Sequence, residues 1–162
     1  MYKFTLEWIE NGRQRSQTLS STDITKEPGE IRVGRDKDKC DVILPEQEAT
    51  VSRLHAAIFY DSQNNQLLLK NLTTNKPQPN PVILDSKKII RETGILLLGS
   101  VINIGKINLK VTQLELADEK PLLYGIKCVN NHVIAYDYVG DFCPHCGYAL
   151  QAVETTFVPP KK

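Results

Sequence analysis

Two groups of residues in this 162-residue chain have the types and spacing to do chemistry. The first is spread over three short polar segments, Gly34-Arg35, Ser52-Arg53-Leu54-His55 and Thr73-Thr74-Asn75. A phosphate ester carries close to two negative charges near neutral pH and three acceptor oxygens, so a site for it wants an arginine fork with hydroxyl and amide donors around it. Arg35, Ser52, Arg53, Thr74 and Asn75 supply that list. Ser52 and His55 could instead be nucleophile and base, but no acid to orient the imidazole and no oxyanion hole is evident. The chain therefore reads as a binding protein and not as an enzyme.

The second group lies near the C-terminus. Cys143-Pro144-His145-Cys146-Gly147 places two thiols two residues apart, with a glycine that permits the turn needed to point both at one metal ion. Cys128 and His132, three residues apart and ending ten residues before Cys143, supply a second pair. Cys128, His132, Cys143 and Cys146 thus form an expected zinc site, with His145 as a substitute ligand. Four protein ligands close the coordination sphere, which argues for a structural metal. A segment of about 30 residues cannot bury enough apolar surface to fold unaided, so a metal staple is the physical expectation there. Cys40, isolated from the others, reads as a buried or bystander thiol.

The elements that must carry these residues are strands. In Tyr2 to Ile9 the apolar Tyr2, Phe4, Leu6 and Trp8 alternate with Lys3, Thr5 and Glu7, the period of a half-buried strand. Short β-like runs recur at 30–33, 42–44, 55–60, 66–70, 82–84, 101–104 and 107–116, separated by turn clusters such as Glu27-Pro28-Gly29 and 61–65. No stretch sustains helical apolar spacing behind a capping residue, so little helix is expected. Many short strands at close spacing predict an all-β sandwich, because each apolar face must be covered by a second sheet. The charged, proline-closed stretch 117–121 reads as a linker. It divides a sandwich domain at 1–116 from a small zinc-ribbon-like module at 122–158, with a frayed tail.

Composition narrows the partners. At 41% hydrophobic and 24% charged, with net charge +1, the chain has a globular composition and lacks the basic footprint of a nucleic-acid binder. No apolar run approaches the roughly 20 residues that cross a bilayer, and the N-terminus shows no secretory leader, so the default expectation is a cytoplasmic location with reduced cysteines and no membrane partner. The triplet Asn71-Leu72-Thr73 matches a glycosylation acceptor, which has no meaning without secretion. Tyr124, Tyr136, Tyr138, Phe142 and Tyr148 are expected to form a small core for the tail or a protein-binding surface.

Taken in order, Gly34-Arg35, then Asp41-Val42-Ile43-Leu44, then Val51-Ser52-Arg53-Leu54-His55-Ala56, then Leu72-Thr73-Thr74-Asn75, followed by an apolar stretch and a final strand, resemble the forkhead-associated (FHA) domain family over roughly 30–116. The tail resembles a small zinc ribbon. The FHA resemblance implies a β-sandwich whose loops bind phosphothreonine in a protein partner. It assigns Arg35 and Ser52 to the phosphate, Arg53 to the same pocket, and His55 to bracing the loop that carries Ser52. An asparagine would hold the peptide backbone. Counting forward from Leu72 makes it Asn75, and counting back from Val82-Ile83-Leu84 makes it Asn80. The ambiguity arises because Pro77, Pro79 and Pro81 interrupt the usual motif, stiffening a loop about four residues longer than the family's, with Lys76 adding positive charge nearby. The expected function is a phosphothreonine-dependent adaptor. The alternatives are a phosphate-independent scaffold using the same loops, or a nucleic-acid-binding zinc ribbon with an accessory sandwich.

Overall fold

The alternation in β1 (Tyr2–Glu10) is realised as a strand that buries Phe4, Leu6 and Trp8 on one face. Residues 1–116, 123–130, 132–135, 141–150 and 154–158 are described by the structure, a computed structural model. The chain divides into two compact units, 1–118 and 119–162.

In the first unit β1 turns through Asn11 and Gly12, both at positive φ (51° and 74°), into β2 (Arg13–Ser20). This is the two-residue hairpin geometry that matches strand twist, and it explains a strand that hydropathy does not reveal. Only Leu19 of β2 is buried, so main-chain pairing with β1 and not an apolar face defines it. The chain continues through β3 (Glu30–Gly34), β4 (Val42–Ile43), β5 (Ala56–Asp61), β6 (Gln66–Asn71), β7 (Val82–Leu84), β8 (Lys87–Ile89), β9 (Gly94–Leu96), β10 (Val101–Ile104) and β11 (Ile107–Leu116). One sheet has the order β2-β1-β11-β10-β7-β8 and the other β4-β3-β5-β6-β9. All pairs in both are antiparallel except β3 with β4. Their apolar faces share one core that includes Phe4, Leu6, Ile31, Ile58, Leu67, Leu69, Ile102, Ile104 and Leu109, all fully buried. The architecture is the all-β sandwich expected, and no helix occurs among the described residues.

Register decides which loops meet. Val33 at the end of β3 pairs with Ala56 at the start of β5, and Ala56 pairs in turn with Asn71 at the end of β6. The segments entering or leaving these positions, 35–41, 44–55 and 72–81, therefore emerge at the same edge of the sheet.

The second unit contains β12 (Leu123–Lys127), β13 (Val133–Ala135) and β14 (Glu154–Val158) in the order β13-β12-β14. Its buried cluster is Cys128, Ile134 and Cys143, with Cys146 and Leu150 packed against it. Phe142 and Tyr148 are each 59% exposed, so neither belongs to a small core, and of the two expectations only a protein-binding surface is left for them. Tyr136 and Tyr138 lie outside the described residues.

Candidate functional site: three loops on the sandwich edge

Gly34 ends β3 against the backbone of the next recognition loop. A Cβ there would lie 2.3 Å from the Arg53 carbonyl oxygen, so only glycine lets the two segments come this close. That same carbonyl accepts the Asp36 N–H at 3.0 Å and the Cys40 thiol at 3.2 Å. Burial pushes the Cys40 thiol up to about 11, which keeps it an S–H donor. Asp41 ties the far end of this loop down, its two carboxylate oxygens accepting the backbone N–H groups of Lys26 and Arg32 at 2.8 Å each.

On this frame the Arg35 N–H donates to the Ser52 carbonyl (3.3 Å), and its Nε donates to the Val51 carbonyl (2.8 Å). The guanidinium is thus anchored by one of its nitrogens, while its two terminal nitrogens have no protein partner among the described residues. Those terminal N–H groups are the ones a bidentate contact with an oxyanion uses. Arg35 and the exposed Arg53 line one open cleft of about 620 Å³, whose walls also carry Lys37, Asp36, Glu46 and Pro45.

Ser52 is held from behind. Its N–H donates to His55 Nδ1 at 3.0 Å, which leaves Nε2 to carry the ring proton toward the Pro81 carbonyl at 3.3 Å. His55 is fully buried, and its backbone bonds Val33 and Leu72. One imidazole therefore ties together the loop bearing Ser52 and the loop before β7. Burial lowers its pKa, the Pro81 carbonyl opposes that shift, and nearby Lys76 adds to it. The neutral ring that the two bonds require is thereby favoured.

The loop 72–81 is pinned by Asn71, which in the sequence stands out only as the first residue of the Asn71-Leu72-Thr73 triplet. Asn71 is 6% exposed, and its carboxamide nitrogen donates to the carbonyls of Asn80 (2.7 Å) and Ile89 (3.1 Å). Its oxygen accepts the Thr73 N–H at 2.8 Å. The Thr73 hydroxyl lies 2.8 Å from that oxygen and 2.9 Å from the Asn80 carbonyl, its single proton serving one of them. A turn follows, with Lys76 N–H donating to the Thr73 carbonyl (3.1 Å).

From this turn two side chains reach Ser52 Oγ: Asn80 Nδ2 at 2.5 Å and Lys76 Nζ at 3.0 Å. Among the expected site residues the structure thus brings Ser52, His55 and Asn80 into one bonded group, with Arg35 joined through the backbone of Val51 and Ser52. Thr74 is half-buried and Asn75 exposed on the same loop, and neither side chain makes a hydrogen bond among the described residues. Asn71 and the reach of Lys76 to Ser52 could not be found from spacing, because both depend on how a proline-rich loop folds back.

In the second unit the Sγ atoms of Cys128, Cys143 and Cys146 and a ring nitrogen of His132 lie within 4.8 Å of one another. His145 is exposed and is not one of the four donors. Cys128 Sγ is 3.8 Å from Cys146 Sγ and 3.5 Å from His132 Nδ1, and Cys143 Sγ is 3.9 Å from the same nitrogen. Tetrahedral zinc with bonds of about 2.3 Å to sulfur and about 2.0 Å to nitrogen requires S–S and S–N edges of about 3.8 and about 3.5 Å, close to these three distances. The turn that sets them is local: Gly147, at φ 71°, donates its N–H to the Cys143 carbonyl at 2.8 Å. The Tyr148 backbone N–H, and then Asn130 and His132, lower the Cys146 thiol to about 6 against the opposing effect of burial, toward the thiolate a metal needs.

Comparison with known proteins agrees with this architecture. Residues 31–105 match the family model described as the FHA domain. Among solved structures, the FHA domain of a Chlamydia trachomatis protein is 22% identical, with a TM-score of 0.53 over 68% of this chain and 97% of that one. The kinase-interacting FHA domain of the kinase-associated protein phosphatase of Arabidopsis is 20% identical, with a TM-score of 0.54 over 73% of this chain and 98% of that one. A structure from a study of phosphothreonine-dependent FHA domain interactions is 26% identical, with a TM-score of 0.51 over 68% and 96%. No curated protein sequence matches the chain. The first unit has the fold of FHA-domain structures, and residues 31–105 within it match that family's model.

Proposed function

We propose that the protein is an adaptor whose first unit binds phosphothreonine in a protein partner through Arg35, Ser52, Arg53 and the loop 72–81. The observation that carries this reading is the Arg35 guanidinium, anchored through Nε to the Val51 carbonyl with both terminal nitrogens unpartnered among the described residues, beside a serine braced by a buried histidine. The similarity to a structure studied for phosphothreonine-dependent interactions supports it. Donors already positioned by the sandwich lose little entropy when a peptide arrives. Four or five bonds to a charged group, each worth roughly 1.5–3 kcal/mol and offset by an association cost of at least about 4 kcal/mol, give an affinity on the order of micromolar. Asn80, bonded to Ser52 Oγ, is the asparagine we favour for the peptide contact; Asn75, earlier in the same loop, is exposed and makes no side-chain hydrogen bond among the described residues. An oriented phosphopeptide array tests the function. Wild-type protein is expected to select phosphothreonine sequences and Arg35→Ala to lose them while still folding; equal binding of unphosphorylated peptides would leave the phosphate-independent scaffold as the answer.

The second unit's part in this reading is structural. Cys128, His132, Cys143 and Cys146 hold one zinc ion, which supplies folding free energy to a unit whose buried cluster, among the described residues, is Cys128, Ile134 and Cys143. Metal analysis of purified protein should find about one zinc per chain in the wild type and none in Cys143→Ser. A value near zero in intact wild-type protein would remove the metal from the proposal.

A further inference from the structure

The contact between Lys76 and Ser52 lies outside the family resemblance, because it comes from the residues that lengthen the loop 72–81. Both donors at Ser52 Oγ, the Asn80 amide at 2.5 Å and the Lys76 ammonium at 3.0 Å, point hydrogens at the oxygen. A hydroxyl oxygen has two lone pairs and one proton. With both lone pairs taken, Ser52 can engage a further group only by donating its O–H. An oxygen that accepts from an ammonium is also polarised toward donation, since hydrogen bonds in series strengthen one another.

Lys76 is held at this place from both sides. Its N–H closes the turn on Thr73, which is bonded to the buried Asn71, and the chain beyond passes through Pro77 and Pro79 to Asn80, whose carbonyl Asn71 also binds. The intervening backbone is short and restricted at two prolines. No carboxylate pairs with Lys76 among the described residues; its side-chain partner there is Ser52 Oγ. A cation whose protein partner is a neutral hydroxyl retains most of its attraction for an anion.

We infer that Lys76 is a phosphate-binding residue of this site, which contacts the ester oxygens and orients the Ser52 hydroxyl as a donor. The inference rests on the phosphothreonine reading above. It adds a third cation to Arg35 and Arg53 as a direct phosphate contact, and commits its ligand class to a dianionic phosphomonoester over the single charge of an acidic side chain.

The test measures dissociation constants by fluorescence anisotropy for a labelled phosphothreonine peptide selected on the array, across a salt series, with wild type, Arg35→Ala, Lys76→Ala, Lys76→Gln and Lys76→Arg. Lys76 is exposed, so all three of its variants should unfold at the wild-type temperature. The expected result is about 10- to 100-fold weaker binding for Lys76→Ala and Lys76→Gln, a shallower salt dependence for both, and Lys76→Arg within about threefold of wild type. Wild-type affinity in Lys76→Ala and Lys76→Gln, with an unchanged salt slope, would overturn the inference while leaving phosphothreonine binding intact. Weaker binding with the wild-type salt slope and no recovery in Lys76→Arg would assign Lys76 to loop architecture alone and overturn it too. A wild type that binds no better than Arg35→Ala would instead sink the phosphate reading itself, and this inference with it.

Discussion

Replacing Asn71, the last residue of β6, with alanine should cost more than any single polar substitution within the loop 72–81, and the amount can be worked from its bonds. The carboxamide makes three hydrogen bonds to backbone groups: it donates to the Asn80 and Ile89 carbonyls and accepts from the Thr73 N–H. At about 1 kcal/mol net per bond the loss is about 3 kcal/mol. Thr73 is 2% exposed, so its N–H is left with little access to water, and desolvation raises the figure toward 4 kcal/mol. Against a domain stability of roughly 5–15 kcal/mol this is a large fraction. At about 4 °C per kcal/mol for a domain of this size, it corresponds to a fall of about 12–16 °C in Tm. Trp8 is the only tryptophan of the chain and is 7% exposed inside the first unit, so its fluorescence through a urea titration reports that unit. Asn71→Asp separates the two halves of the carboxamide. It retains the acceptor for Thr73 but buries a charge facing two carbonyls, so its pKa in the folded state is raised. The penalty is then present in full above that pKa and is relieved as pH falls and the carboxyl becomes a donor. An Asn71→Ala protein that unfolds within about 1 kcal/mol of wild type would refute the claim that this carboxamide pins the loop.

Two further outcomes follow from the site and from the second unit. His55 has a pKa below its ordinary 6.5 because burial disfavours the imidazolium, so the unfolded chain takes up this proton first. Its contribution to stability is whole above about pH 6.5 and declines as pH falls toward the folded-state value, flattening below it. Urea midpoints of wild type and His55→Gln between pH 7.5 and 5 should therefore converge on acidification. Parallel curves would show that His55 is not held neutral. For the tail, a strong chelator should make Cys128 and Cys143, which are 3% and 2% exposed, react quickly with a thiol reagent, whereas the untreated protein reacts slowly; identical rates would argue against metal ligation.

Much of the architecture was written in local pattern. Tyr2 to Ile9 alternates because one face must be buried, and burial of Phe4, Leu6 and Trp8 realises that pattern. Of the first-unit strands that the pattern did not mark, β2 and β8 are edge strands held by main-chain pairing across tight turns, at Asn11-Gly12 and at Asp85-Ser86 with φ of 48° and 72°, and β9 is the edge of the other sheet, paired with β6. The C-x2-C and C-x3-H spacings already defined a donor set, since ligands that close in sequence have few ways to lie apart in space.

What sequence alone determined was therefore the chemistry on offer: a guanidinium at 35, a hydroxyl at 52, a histidine three residues on, and four soft donors in the tail. Tertiary structure decided which of these groups meet. Register brought Val33, Ala56 and Asn71 into line, and only then could Asn71 fold the loop 72–81 back so that Lys76 and Asn80 reach Ser52. Counting residues could not choose between Asn75 and Asn80, because a loop's reach depends on where its ends are pinned, and here the pin is a buried carboxamide whose partners lie as far as 18 residues away along the chain.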